Sequence, residues 1–328
     1  MKYTDKIYGK INITEKVIIE IIESSDFQRL IGIDQAGYFD VYFPGTKHSR
    51  FEHSVGCYIL LKKFGASIEE QIAGLIHDIS HSAFSHTADY VFDSGRGADH
   101  NYQDDIFEDF VRQTKIPEIL KKYNYDVDYI LNENNFPLQE NELPDLCADR
   151  IDYSLRGAFH YIKMNTDKID YFLDNLKVNN NEWVFNSYEA AFKYAKLFKK
   201  LNDIYYSNKE TAAMFKRTSD WIKYAAKRNY ITHTDLFVTD KEVINQINKH
   251  LANDKKLAEL WEYMNNSEIN ICKKGESNCE QIIVKSRIVD PSFLDGDIIK
   301  RISEINREWG STVNMDKEPK IYYLKKSK

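Results

Sequence analysis

Residues 77–86 read HDISHSAFSH, which places His77, Asp78, His81 and His86 within ten positions. Six of the nine histidines (His48, His53, His77, His81, His86 and His100) fall between residues 48 and 100, so imidazole is concentrated in one region. Imidazole and carboxylate are ligands for divalent ions, but one helix cannot surround an ion, so the donors must converge from several elements. His77 and Asp78, being adjacent, can share an ion only beside their own helix. His53, in RFEHSVG, lies on the preceding helical pattern and Asp149, in CADRIDY, on a later one; each follows apolar residues that aim it inward. The expected site is two histidines and two carboxylates, His53, His77, Asp78 and Asp149. It suits Mn, Fe, Mg or Zn and leaves positions for water and a phosphate oxygen.

His81 follows His77 by one helical turn, and His86 opens the next segment. Asp89 lies about a turn beyond His86, where a carboxylate can orient a histidine. These three are catalytic candidates rather than further ligands.

The elements that must position these groups read as helices. DKIYGKINI alternates around Gly9 as a short β-hairpin, and a helix is expected to begin near Thr14, with Thr14 as its cap. Helical patterns resume at 50–64, 68–79, 84–93, 103–113 and 142–162, broken by Pro44, Gly45, Pro117 and Pro137. Residues 169–186 read as a strand hairpin around NNN, and 188–230 as long helices. Beyond 266, short strands flank a helix expected at 295–308. The fold class is mainly α, a helical bundle over 1–265 with a small β-hairpin, followed by a small C-terminal α+β appendage at 266–328.

Composition sets outer bounds. The 328 residues carry 42% hydrophobic and 29% charged side chains, enough for a packed core. Thirteen glycines and six prolines are too few for a turn-dense β sandwich. Basic and acidic residues, 45 against 51, are mixed along the chain, so no global field recruits nucleic acid or an anionic membrane. No export signal and no run of about 18 apolar residues is present. The expectation is a cytoplasmic protein whose four cysteines are reduced, with Cys272 and Cys279 lacking partners for a zinc knuckle.

FQRLIGIDQAG, FPGTKHSRFEHSVG, AGLIHDISHSAFSH and DRIDY together resemble, in order and spacing, the HD-domain phosphohydrolases, and among them the deoxynucleoside triphosphate triphosphohydrolases. The resemblance is strong over residues 5–160. It implies an HD-domain helical bundle whose H…HD…D ligand pattern falls on His53, His77, Asp78 and Asp149. It further implies that His100, paired with Asp89, protonates the leaving sugar oxygen, with His81 and His86 beside the phosphate or the attacking water. Arg50, Arg150 and Tyr153 match phosphate-holding residues, and Gln35 a glutamine near the sugar.

Two positions depart from that branch. Gly157 stands where a sugar-contacting aspartate is expected, and Ala36 where a bulky residue crowds a 2′-hydroxyl, so the sugar and base specificity stay open and ribonucleotides are candidates beside deoxynucleotides. Related families are argued against: guanosine polyphosphate hydrolases use HDxxED, whereas this chain has His81 and Ser82, and the GYP element of cyclic dinucleotide phosphodiesterases is absent.

The expected function is therefore a metal-dependent hydrolase that splits a (deoxy)nucleoside triphosphate into nucleoside and triphosphate. The alternatives are an HD-type nucleotidase or phosphodiesterase acting on mono- or cyclic nucleotides, or a nucleotide sensor that binds without turnover. The resemblance also implies a homo-oligomer with a nucleotide effector between subunits.

Overall fold

A computed structural model describes residues 1–92 and 102–325. The N-terminal hairpin pairs Lys2–Asp5 with Gly9–Asn12 in antiparallel register. Asp5 Oδ1 closes the turn by accepting from the Ile7 and Tyr8 amides. The first long helix runs Lys16–Glu23 and buries Val17, Ile18, Ile21 and Ile22, a stripe in which each side chain contributes about 1.5–3 kcal/mol. Glu15, not Thr14, occupies its N-cap, and it does so without a side-chain cap bond. The reason is tertiary: the Glu15 carboxylate is drawn to Lys62 Nζ at 2.8 Å and to Tyr58 Oη at 3.1 Å.

Two helices carry the first three expected ligands. Arg50–Lys63 starts with a Ser49/Glu52 capping box, and Ile68–Ile76 is capped by Ser67. The second ends sooner than expected, with His77 as its C-cap, so His77 and Asp78 stand at a helix terminus. The helix expected from 84 begins at Thr87, because Phe84 and Ser85 adopt left-handed backbone (φ 61° and 50°). Tyr102–Asp105 and Phe107–Arg112 replace the single helix expected at 103–113. The long Ala148–Ile162 helix brings Asp149 across the pair.

The stretch expected as strands from 169 is helical as far as Asp174, capped by Asn165. Its apolar residues Ile169, Phe172, Leu173 and Leu176 recur at helical spacing. The hairpin follows as Leu176–Asn179 and Glu182–Phe185, turning on Asn180 and Asn181 with positive φ. Helices Tyr188–Leu201 and Lys209–Lys227 flank a π-turn at Asn202–Tyr206.

The C-terminal strands also depart from expectation. Residues 295–301 belong to a hairpin, Ser292–Asp295 with Ile298–Arg301, and the helices come later, at Ile302–Ile305 and Arg307–Asp316. Ser292–Asp295 pairs in parallel with Glu182–Phe185, making one four-stranded sheet. Cys279–Val284 pairs with Lys320–Lys325. Cys272 and Cys279 form a disulfide, which corrects the expectation of four free thiols. The Lys320–Lys325 strand brings them together, since the Cys272 amide donates to Tyr323 O and Cys279 lies opposite Lys325. Cys57 and Cys147 remain buried thiols. One core cluster joins Leu155, Phe198 and Ala212 to Val284, Val289 and Phe293, so these C-terminal strands pack on the same helices that carry the site. No helix among the described residues is long and apolar enough to cross a membrane.

Candidate metal centre and active site

His53 is fully buried one turn into its helix. Its Nε2 lies 2.9 Å from Asp149 Oδ1 and 3.2 Å from His77 Nε2. His77 Nε2 lies 3.4 Å from Asp149 Oδ1 and 3.6 Å from Asp78 Oδ1, and Asp78 Oδ2 is 3.7 Å from His53 Nε2. Three separate elements thus aim the four expected side chains at one point.

The opposite edges of both imidazoles are tied down. His53 Nδ1 faces Asp152 Oδ2 at 2.8 Å, and His77 Nδ1 faces the Gly74 carbonyl at 2.8 Å. Both partners only accept, so each ring carries its proton on Nδ1 and presents a lone pair at Nε2. Two such lone pairs beside a carboxylate repel unless a cation lies among them. Burial pushes His77 down, but the Asp78 and Asp149 charges outweigh it and raise its pKa to about 10, so without a cation a proton takes the Nε2 position that a metal ion would claim. Burial would raise the Asp149 carboxyl, yet its hydrogen bonds to His53 and His77 hold it well below the usual range. The pocket is anionic, nitrogen- and oxygen-lined, and fits a divalent ion.

Cys57 Sγ also comes near, 3.7 Å from His53 Nδ1, and a cluster of His53, Cys57, His77 and Asp149 could hold an ion. Burial and the Asp152 charge push the Cys57 thiol well up; Asp78 offers a carboxylate at the same point, 3.6 Å from His77 Nε2 and 3.7 Å from His53 Nε2.

Asp152 is the residue that sequence reasoning passed over. Its carboxylate accepts two 2.9 Å hydrogen bonds from Arg156, and Arg156 in turn reaches Asp5 at 3.2 Å; Tyr8 Oη donates to Asp152 at 2.9 Å. A signal was present: Asp149, Asp152 and Arg156 repeat at three and four residues, one face of the Ala148–Ile162 helix.

The catalytic candidates line up beside Asp78. His81 Nε2 is 3.3 Å from Asp78 Oδ1, and the His81 and His86 rings stand edge to face at 5.0 Å. Burial, then Arg50, lower His81 to about 3 and hold His86 well below its ordinary range, which favours the neutral rings. His86 Nδ1 lies 3.3 Å from Asp89 Oδ2, while Asp89 Oδ1 accepts from the Tyr102 amide. His100 lies outside the described residues.

The expected phosphate-binding residues differ in what they touch. Arg50 is buried, with Nη1 2.5 Å from Asp78 Oδ2, Nε donating to Ser85 Oγ and Nη2 to the Gln35 carbonyl. Arg150 donates to the Asp145 and Asn141 carbonyls and to Glu140 at 3.2 Å. Tyr153 Oη and Gln35 Oε1 are buried without a hydrogen-bond partner among the described residues. At Gly157, a Cβ atom would stand 2.7 Å from Tyr206 Oη, so that hydroxyl occupies the space where an aspartate was expected.

Comparison with known proteins agrees with this geometry. Residues 50–157 match the HD domain family. The chain is 34% identical to the uncharacterized protein YdhJ of Bacillus subtilis over 98% of both chains. It is 32% identical to the metal-dependent phosphohydrolase cns2 of Cordyceps militaris, over 65% of this chain and 63% of that protein. With the deoxynucleoside triphosphate triphosphohydrolase SAMHD1 of Gallus gallus it shares 27% identity, over 55% of this chain and 34% of that one. The crystal structure of a phosphohydrolase from Bacteroides thetaiotaomicron superimposes with a TM-score of 0.72 at 18% identity, covering all of both chains. A buried histidine–aspartate centre on this helical frame defines a metal-dependent hydrolase. The chain belongs to the HD-domain phosphohydrolases.

Proposed function

We propose that His53, His77, Asp78 and Asp149 hold the ion and that the chain cleaves a nucleotide phosphate ester, with a (deoxy)nucleoside triphosphate giving nucleoside and triphosphate as the preferred reaction. The observation that carries the reading is the row of side chains beside the expected ligands: His81 Nε2 is 3.3 Å from Asp78 Oδ1, the His86 ring stands edge to face with His81 at 5.0 Å, and His86 Nδ1 is 3.3 Å from Asp89 Oδ2. A bound divalent ion supplies Lewis acidity toward a phosphoryl oxygen and acidifies water.

The side chains do the rest. Asp152 and the Gly74 carbonyl fix the two ligand rings. Arg50 clamps Asp78 and keeps it ionised, burial notwithstanding. His81 and His86, being neutral, accept hydrogen bonds from the incoming water or from a protonated phosphoryl oxygen. Asp89 orients the proton donor to the leaving oxygen, the role the family resemblance gives to His100. Gln35 and Tyr153, whose buried Oε1 and Oη have no hydrogen-bond partner among the described residues, contact the sugar and a phosphate. The same reading carries a cytoplasmic homo-oligomer that binds a nucleotide effector between subunits.

A second reading, a nucleotidase or phosphodiesterase on mono- or cyclic nucleotides, is favoured by one observation: Arg50 and Arg150 are engaged by protein acceptors, which lowers the charge they offer a triphosphate. Product identification by ³¹P NMR separates the two. Triphosphate as the sole phosphorus product supports the first reading; inorganic phosphate or a linear monophosphate supports the second.

A further inference from the structure

The strand Cys279–Val284 is followed by residues 285–290, which belong to no helix or strand. Along this stretch Ile282, Val284, Ser286 and Ile288 are buried, so Lys285 and Arg287 share the opposite face. The segment is pinned from two sides. Tyr90, next to Asp89, donates its hydroxyl to the Ile283 carbonyl at 2.9 Å. Fully buried Asn202 accepts from the Arg287 amide at 2.9 Å and donates to Ser286 Oγ at 3.1 Å. Asn202 opens the turn that presents Tyr206, whose ring stands 5.7 Å from Tyr153.

These anchors tie the segment to Tyr90, beside Asp89, and to the turn that carries Tyr206, next to Tyr153. Burial raises the Tyr153 and Tyr206 hydroxyls, and Arg287 is among the cations that pull them back. Burial and Arg50 depress His86, and Arg287 and Lys285 add to that depression. Burial, then Arg287, lower Lys285 to about 8, as expected of two cations held together away from water. Among the described residues the Arg287 guanidinium makes no hydrogen bond or ion pair, and the Tyr153 and Tyr206 hydroxyls are buried without a partner. A guanidinium and two orphan hydroxyls around one pocket are donors arranged for an anion.

We infer that Arg287, with Tyr206 and Tyr153, grips the phosphoryl oxygens of the substrate, and that Lys285 adds charge to the same wall. This rests on the phosphate-ester reading above. It gives the C-terminal strands a part in the site, and it supplies the phosphate-binding charge that Arg50 and Arg150 spend inside the protein. The arrangement suits a phosphate chain rather than a neutral leaving group.

The test uses the full Mn-loaded chain and inorganic tripolyphosphate, with affinity read by calorimetry and KM and kcat read on the nucleotide that the wild type cleaves. Arg287→Gln is expected to weaken tripolyphosphate binding and raise KM about 10- to 100-fold with unchanged manganese content. Arg287→Lys should recover part of the loss, and Tyr206→Phe should lose about fivefold or more. Wild-type tripolyphosphate affinity and KM in both Arg287→Gln and Tyr206→Phe, or no tripolyphosphate binding by the wild type, would overturn the inference. Tripolyphosphate binding that depends on Arg287 in a protein that cleaves no nucleotide would instead sink the functional reading and leave this one standing.

Discussion

Asp152 Oδ2 sits 2.8 Å from Nδ1 of His53. That contact fixes the ring so that its other nitrogen faces Asp149 and His77, and it makes the metal centre depend on a carboxylate that does not itself reach the ion. Orienting carboxylates of this kind are typically worth 10- to 100-fold in metal affinity. Asp152→Asn is therefore expected to weaken manganese binding by about that factor, measured by competition with a chromophoric chelator. Unchanged affinity would mean that His53 is held by packing alone.

Gly56 is the reason the orienting layer fits. A Cβ there would lie 2.1 Å from Asp152 Oδ1 and 2.2 Å from Arg156 Nη2. Both atoms are locked in the buried network with Asp5 and Tyr8, so they have nowhere to retreat. Gly56→Ala is expected to cost about 3 kcal/mol or more of stability and to impair metal binding. Gly310→Ala is the contrasting helical position, where the nearest atom would be 3.5 Å away. It should be neutral or stabilising by up to about 1 kcal/mol. Equal melting temperatures for the two variants would contradict the close approach.

How much of this was legible without coordinates depends on what each residue answers to. The convergence of His53, His77, Asp78 and Asp149 was readable because an ion demands convergent donors, and the apolar residues around each declare which way it points. The hairpin at Gly9 and the Arg50–Lys63 helix were readable from local periodicity. Residues 169–174 are helical where a strand was expected: Ile169, Phe172 and Leu173 keep helical spacing, but the NNN turn that follows carries the stronger local signal. The partners of Arg50 and Arg150 were hidden, since an arginine beside a motif looks the same whether it meets phosphate or a buried carbonyl. Arg287 and the Cys272–Cys279 pair were hidden for a different reason: chain reversals far along the sequence set their neighbours, and no local pattern records them.

Metal removal should be visible as stability. If His53, His77, Asp78 and Asp149 hold the ion as proposed, it binds only where they are assembled and stabilises the folded state by mass action. Dialysis against a chelator is expected to lower the melting temperature, and returning manganese to restore it; a ligand excess of about 100 times Kd corresponds to about 2.7 kcal/mol. A melting temperature that ignores both treatments would show that the cluster does not bind the ion.

Asp34 and Asp240 give the fold a pH dependence. The Asp34 and Phe84 amides donate to the two oxygens of Asp240, and the Ala36 amide donates to Asp34. Burial raises Asp34 to about 8 and Asp240 to about 6. Each is protonated in the native chain at a pH where the unfolded chain is ionised, so the native state binds more protons. Their contribution is fully present below about pH 4 and is lost as pH rises through about 8, at most about 1.4 kcal/mol per unit for each group. Thermal unfolding between about pH 5 and pH 8 should show falling stability in the wild type and a shallower fall in Asp34→Asn. Parallel curves would place the dependence elsewhere.

The most direct check is turnover by the metal-loaded chain beside Asp149→Asn, a variant that keeps the size of the side chain but removes the charge facing His53 and His77. Mass spectrometry of a panel of ribo- and deoxynucleotides, incubated with Mn, Fe, Mg or Zn, follows the products while metal content and melting temperature are recorded. The expected result is a metal-dependent phosphorus product from the wild type, with nucleoside released, and none from a folded Asp149→Asn protein that binds little metal. Nucleotides left intact by the wild type with every ion, or full activity in Asp149→Asn, would contradict a metal-dependent phosphohydrolase built on these four ligands.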